Sequence, residues 1–277
     1  MYLVTGARGQ LGTELQALLK DSAIYVDRHE LDITSEIAVR NFFDKHHFDC
    51  VINCAAYTAV DKAEDEPSEA EAVNHLGARW LAKYGKCIIH ISTDYVFDGK
   101  HSTPYFENDR TDPVSVYGQS KLRGELAVME HAETAVILRT AWLYSAYGNN
   151  FLKTMLRLGK ERDAVNVVSD QIGSPTFAGD LAQGIVNILP FIQKGEKDIY
   201  HFANEGVCSW YDFAHAIMEL AGLSCRVNPI ESRSYPTKAV RPFYSVLSKE
   251  KIKRDFNLDI PHWRDSLAGI LKDLKEI

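Results

Sequence analysis

Tyr117 and Lys121 stand four residues apart in the run Val116-Tyr117-Gly118-Gln119-Ser120-Lys121. On a helix that spacing puts both side chains on one face. An ammonium beside a phenol lowers the phenol's pKa and makes it a usable proton donor or acceptor. Far upstream, Thr5-Gly6-Ala7-Arg8-Gly9-Gln10-Leu11-Gly12 follows the apolar run Tyr2-Leu3-Val4. A glycine-rich turn between a strand and a helix is a seat for a pyrophosphate. The two segments together describe nicotinamide-dependent chemistry on a carbonyl or an alcohol.

Each glycine has a separate task. Gly6 permits the tight turn, Gly9 lets the backbone approach a phosphate, and Gly12 lets the helix pack close to the strand. The position of the turn, inside a first strand–helix–strand unit, is what makes the pattern specific. Asp27 closes the second strand, where an acid meets the adenosine 2′-hydroxyl and favours NADH. Arg28 follows at once and would meet a 2′-phosphate, favouring NADPH. The sequence points both ways. Asp32 and Ile33 come a few residues later, at the adenine contact. Ser92-Thr93-Asp94-Tyr95-Val96-Phe97-Asp98-Gly99 leaves the carboxyl end of a fourth strand, the edge at which open α/β sheets bind ligands. A hydroxyl there would hold a substrate oxygen beside Tyr117, and Thr93 is favoured over Ser92.

The elements that must position these groups alternate. Strands are expected at 2–4, 23–26, 50–53, 87–92 and 135–139. Helices are expected at 10–20, with Leu11, Leu15, Leu18 and Leu19 on one side; at 35–45, capped by Thr34; at 67–84; and at 114–130. The fold class expected is α/β, a Rossmann-like doubly wound parallel sheet with a smaller C-terminal substrate-binding region. Residues 1–145 would form the dinucleotide-binding domain, with sheet elements contributed from 160–205. Residues 146–277, punctuated by six prolines from Pro175 to Pro261, would be mainly substrate-binding.

Bulk properties exclude other classes. At 277 residues the chain holds one large α/β domain, or a main domain with an appended one. A net charge of -7 gives no electrostatic reason for nucleic acid or an anionic membrane. Five cysteines, an odd number without a C-x-x-C pair, argue against a disulfide framework, and Cys50 and Cys54 read as core thiols. Gly6 already belongs to a turn, so no signal peptide fits at the start. No apolar run reaches the ~20 residues that cross a bilayer. The expected compartment is the cytoplasm.

The motifs, taken together, resemble the extended short-chain dehydrogenase/reductases, and within them the branch that reduces 4-keto sugar nucleotides. The carrying segments are Thr5–Gly12, Asn53–Glu64, Ser92–Gly99, Tyr117–Lys121, Leu138–Tyr144, Asp170–Thr176 and Arg241-Pro242 with Ser245 and Leu247. They span nearly the whole chain. The resemblance implies reduction at C4 of dTDP-6-deoxy-L-lyxo-4-hexulose by NADPH or NADH. Tyr117 would donate the proton, Thr93 would hold the carbonyl oxygen, and Lys121 would bind the nicotinamide ribose. Gly6, Gly9, Gln10, Leu11, Gly12, Ala55, Ala56 and Tyr57 would lie along the cofactor. Thr58, Val60, Asp94, Tyr95 and Trp142 would border the sugar nucleotide, and Arg241 would meet a phosphate as a fork of donors.

Departures sharpen the expectation. Related dehydratases place a Glu after Thr-Asp, where elimination of water needs an acid/base group. Here Tyr95 takes that place, which favours plain reduction. The stretch 81–86 is several residues short for a crossover helix plus turn, and the N-terminus is a residue or two short. Some members hold Mg2+ through acids at a homodimer contact. Glu14 matches one such position, and the Gly179-Asp180 region is not a clean match for another. No metal-ligand spacing stands out independently. Two rivals remain: a non-catalytic partner subunit of the same fold, and an epimerase that keeps NAD bound through purification.

Overall fold

The computed structural model describes residues 1–275. Six parallel strands form the central sheet: β1 (Tyr2–Thr5), β2 (Ala23–Val26), β3 (Cys50–Asn53), β4 (Cys87–Thr93), β5 (Thr134–Thr140) and, after smaller elements, the edge strand β10 (Lys197–His201). The spatial order is β10-β5-β4-β3-β1-β2. β3 and β5 are buried along their whole length, as strands covered on both faces must be. Strand order reverses at β1, which pairs with β2 on one side and β3 on the other. That switch point opens a crevice at the carboxyl ends of β1 and β3.

Helices cover both faces. One layer holds α1 (Gln10–Leu19); the other holds α2 (Glu36–Phe43), α5 (Ala78–Gly85) and α6 (Val116–His131). Short α3 (Val60–Ala63) and α4 (Pro67–Glu71) precede α5, and a single π-helical stretch, 72–77, joins α4 to α5. The helix expected at 67–84 therefore runs without a break, its middle wound as wider π turns. Ser35, not Thr34, caps α2: its hydroxyl accepts from Ala38 N at 3.3 Å. Thr34 instead donates its hydroxyl to Asp32 Oδ1 at 2.7 Å. Leu18 is 40% exposed, because it precedes Leu19 by one residue and is turned about 100° off the buried stripe. The crossover into β4 closes without further residues. Gly85 ends α5, and Lys86 alone makes the turn with φ +63°.

The second half is divided. β6 (Leu143–Tyr144), α7 (Phe151–Glu161), β7 (Ala164–Val168), β8 (Ile172–Gly173) and β9 (Thr176–Phe177) lead to α8 (Ala178–Ile188), which packs on α1. After β10 come β11 (Cys208–Ser209), α9 (Trp210–Ala221), β12 (Arg226–Ile230), α10 (Glu250–Phe256) and α11 (Trp263–Lys275). α8 and α10 join the apolar layer against the main sheet, while β7 pairs with β12 outside it. A separate apolar cluster, with Tyr144, Leu152, Phe213 and Leu267 fully buried, holds α7, α9 and α11 together. No helix among the described residues is long and apolar enough to cross a membrane.

Helix α6 lies unusually close to its neighbours. A Cβ on Gly118 would stand 2.2 Å from Tyr95 O, and one on Gly124 2.2 Å from Asn74 O. Gly124→Ala should therefore lower stability by about 1–3 kcal/mol, the range for overpacking a tight contact. Urea unfolding measures it, and an unchanged midpoint would show that α6 can shift freely.

Candidate active site

The glycine turn builds an anion seat. Gly6 holds φ +65°, and a Cβ on Gly12 would lie 2.3 Å from Gly6 O. Helix α1 opens after Gly9 with no side-chain cap and no acid in its first turn. Its first N–H groups and the positive end of its dipole are thus left for a ligand. A cavity of about 340 Å³ runs from there over Asp27, Arg28, Asp32, Ile33 and the Ala55–Tyr57 segment. Asp27 accepts from Arg8 N at 3.1 Å and from Arg28 N at 2.7 Å. Two arginines therefore flank this acid, and Arg8 pairs its guanidinium with Glu30 at 2.8 Å. Asp32 lines the cavity, but Oδ1 closes a turn onto Thr34 N and Oγ1, and the Thr34 hydroxyl holds its pKa low. Shape, free amides and an acid at the end of β2 fit a dinucleotide.

A second cavity of about 560 Å³ shares Gly9, Cys54 and Ala56 with the first. It adds Gln10, Leu11, Gly12, Thr58, Val60, Thr93, Asp94, Tyr95, Tyr117, Lys121 and Trp142. Thr93, at the end of β4, donates to Asp94 Oδ1 at 3.0 Å and accepts from Tyr95 N at 3.2 Å. Burial lifts the Asp94 carboxyl to about 6. Tyr117 meets Tyr95 edge-on, with ring centroids 5.5 Å apart. Lys121 is buried, donates from Nζ to Ile91 O at 2.5 Å, and is pulled down to about 8 by desolvation. The expected lowering of the phenol by Lys121 is not found. Burial raises the Tyr117 pKa, Asp94 and Tyr95 add to the rise, and the Thr93 hydroxyl opposes it. The phenol is consequently protonated near neutral pH.

Residues that the sequence did not single out, Asn74, Glu125 and Arg139 among them, brace the walls from behind. Asn74, buried in the π-helical stretch, accepts from Tyr57 N at 2.8 Å and donates to Tyr57 O at 3.1 Å. It also donates to Ser120 Oγ at 2.9 Å, tying α6 to the Ala55–Tyr57 segment. A buried Asn inside a helix was the available signal, because that side chain competes with helix hydrogen bonding. Beneath Thr93, Ser92 Oγ donates to Glu125 at 2.5 Å, and Arg139 makes a forked contact to the same carboxylate at 2.9 and 2.7 Å. Trp142 carries φ +48°, an uncommon backbone for a bulky residue, and stacks on Trp210 at 3.6 Å. Cys54 packs against the main apolar layer, as expected, and also lines the cavity.

Arg241 reaches across the cleft mouth. Its Nη2 donates to Asp61 at 2.7 Å and its Nη1 to the Tyr95 hydroxyl at 3.3 Å. It also lines a third cavity of about 410 Å³, which shares Trp210 with the second. No group of three or more His, Cys, Asp or Glu that could hold a metal occurs among the described residues of the single chain. Glu14 is raised by burial and by Asp180, whose carboxylate already accepts from Asn204 at 2.6 Å and Ser266 at 2.5 Å.

A family model described as the RmlD substrate binding domain matches residues 1–276. The chain is 44% identical to a dTDP-4-dehydrorhamnose reductase of Aggregatibacter actinomycetemcomitans, over 97% of each chain. It is 40% identical to a dTDP-4-keto-6-deoxy-D-glucose reductase of Streptomyces niveus, over 96% of this chain and 95% of that one. Its structure is similar to that of a dTDP-4-dehydrorhamnose reductase from Bacillus anthracis str. Ames in complex with NADP, with a TM-score of 0.93, 39% identity and 98% of each chain covered.

The buried Lys121 ammonium costs stability. Its folded pKa lies below the unfolded value, so the unfolded chain binds more protons between about 8 and 10.5 and stability rises with pH through that window. Below about 8 the desolvation cost is present in full. Lys121→Met should raise stability at pH 7 by roughly 1–3 kcal/mol, part of the relief being lost with the Ile91 contact. Thermal unfolding at pH 7 checks this, and a lower melting temperature in the variant would contradict it.

Proposed function

The chain belongs to the RmlD substrate binding domain family and is an NAD(P)H-dependent oxidoreductase, and we propose from that premise that it reduces the C4 carbonyl of dTDP-4-dehydro-6-deoxy-L-mannose to give dTDP-L-rhamnose. The observation that carries the reading is a pair of adjoining cavities that share Gly9, Cys54 and Ala56: the uncapped start of α1 lies where they meet, Asp27 and Arg28 line the first, and Thr93, Tyr117 and Lys121 line the second. When bound, the nicotinamide supplies hydride to the carbonyl carbon.

The residues divide the remaining work. Gly6, Gly9, Gln10, Leu11 and Gly12 receive the pyrophosphate along the glycine turn and first helical turn. Asp27 meets the adenosine ribose when the cofactor is NADH, and Arg28 meets a 2′-phosphate when it is NADPH. Asp32 shapes the adenine end through its turn onto Thr34, beside Ile33. Ala55, Ala56 and Tyr57, clamped by Asn74, form the wall under the cofactor. Thr93 donates to the C4 oxygen once it releases Asp94. Tyr117 then gives that oxygen its proton, which suits a phenol held protonated by burial. Lys121 binds the nicotinamide ribose and places positive charge behind the phenol as it ionises. Its Nζ has three donors, and Ile91 O engages one of them.

The sugar nucleotide lies between Thr58, Val60, Asp94, Tyr95 and Trp142. Its nucleotide half extends past Trp210 into the third cavity, where Arg241 offers its remaining N–H groups to the diphosphate. Tyr95 stands where a dehydratase needs a carboxylate, and its phenol is pushed up to about 12 by burial, so it offers no base for elimination. A second reading, reduction of the 4-keto-6-deoxy-D-glucose form, is favoured by the Streptomyces niveus relative. The test supplies both 4-keto sugars, with and without a 3,5-epimerase, and follows loss of reduced nicotinamide absorbance. The expected result is turnover that depends on the epimerase, with dTDP-L-rhamnose as product and NADPH and NADH within ~100-fold of each other, about 2.7 kcal/mol. Epimerase-independent turnover would support the second substrate. No turnover by folded protein would contradict both.

A further inference from the structure

The sheet carries a second chemically active pair at its other end. Cys50 opens β3 and Cys87 opens β4. The parallel register pairs Val51 with Ile88, which makes Cys50 and Cys87 the next facing pair. Adjacent strands lie about 4.8 Å apart, inside the roughly 4.4–6.8 Å Cα separation that a disulfide spans. Both side chains point into the same apolar layer. Their sulfurs are 2.9 Å apart and share a hydrogen bond. A covalent S–S bond is about 2.05 Å, so closure needs a movement of about 0.9 Å. Cys50 is buried, and Cys87 is partly exposed.

We propose that Cys50 and Cys87 form an oxidisable dithiol that a hydroperoxide converts reversibly to a disulfide, stapling β3 to β4 at their amino ends. The partly exposed Cys87 sulfur attacks the peroxide; the O–O bond breaks, one oxygen stays on Cys87 as a sulfenic acid, and the other leaves as water. The Cys50 sulfur then displaces the sulfenic oxygen as a second water, forming the S–S bond. Two thiols and one hydroperoxide thus give one disulfide and, for hydrogen peroxide, two waters. A dithiol reductant reverses the change.

The local chemistry supports this order. Cys87 ionises before Cys50, because its thiolate accepts the Cys50 proton; burial and Asp49 oppose that ionisation. Thiolate character and access together select which thiol reacts with peroxide. Cys54 lines the ligand cleft but is pushed up to about 12 by burial, and Cys208 is likewise raised. Thr93 lies six residues along β4 from Cys87, roughly 20 Å at 3.3 Å per residue. The staple therefore leaves the proposed reacting groups untouched.

The experiment treats the reduced full-length protein with hydrogen peroxide and counts thiols after unfolding in denaturant. The expected count falls from five to three. A non-reducing peptide map should join the Cys50 and Cys87 peptides with loss of two hydrogens, and dithiothreitol should restore all five thiols. Cys87→Ser should retain its four thiols under the same exposure. Five thiols remaining in the wild type, Cys87 carried to a sulfinic acid with Cys50 free, or intermolecular dimers through Cys87 would each overturn the proposal. The wild-type peptide map decides the matter even if the variant folds poorly.

Discussion

The site depends on the close approach of α6 to β4 and to the π-helical stretch beside it. Gly118 meets the Tyr95 carbonyl and Gly124 meets the Asn74 carbonyl, both without room for a methyl group. Those contacts set the depth of the helix and so the height of Tyr117 and Lys121 above the sheet. Ser115 fixes its start by accepting from Gly118 N at 3.1 Å. Asn74 completes the arrangement, since one amide holds both α6 and Tyr57, in the segment that lines the first cavity. Moving α6 outward by one methyl radius would separate the phenol from Thr93 and the ammonium from Ile91.

Burial of charge is the second constraint. Lys121 sits beside Cys54 and one turn from Glu125, which Arg139 neutralises through its fork. Replacing either member of the Glu125–Arg139 pair alone would leave an uncompensated buried charge, the costliest kind of change. The pair also anchors Ser92, next to Thr93. The floor of the site is thus electrostatically rigid. Its mouth is different: there Arg241 is partly exposed and shares its donors between Asp61 and Tyr95. A rigid floor with an exchangeable rim suits a groove that must hold reacting atoms steady yet admit a large anion.

Much of this was legible in the residues. The glycine turn, the alternation of elements and the Tyr117/Lys121 spacing led to a doubly wound sheet with its crevice at the right strand ends. Local geometry was less legible. Thr34 and Ser35 are equally good caps by type, and only the turn made by Asp32 decides between them. The short crossover before β4 looked deficient because a positive-φ lysine is rarely expected to turn a chain alone. The Tyr117–Lys121 spacing indicated a shared face but not the Ile91 carbonyl that takes the ammonium, nor the burial that raises the phenol. Trp210 comes from an element distant in sequence, so its part in the site follows from packing alone, whereas Asn74 left one signal, an Asn inside a helical run.

In the proposed reaction Tyr117 gives the proton, with Thr93 at the reacting oxygen and Lys121 behind the phenol. Tyr117→Phe removes one hydroxyl and keeps the ring that packs on Tyr95. Turnover of the variant, measured beside its affinity for reduced cofactor, tests that claim most directly. Its kcat should fall roughly 10²–10⁴-fold, the contribution of a positioned acid, with cofactor affinity unchanged within about threefold. A kcat close to that of the parent chain would contradict it and move the proton donor elsewhere.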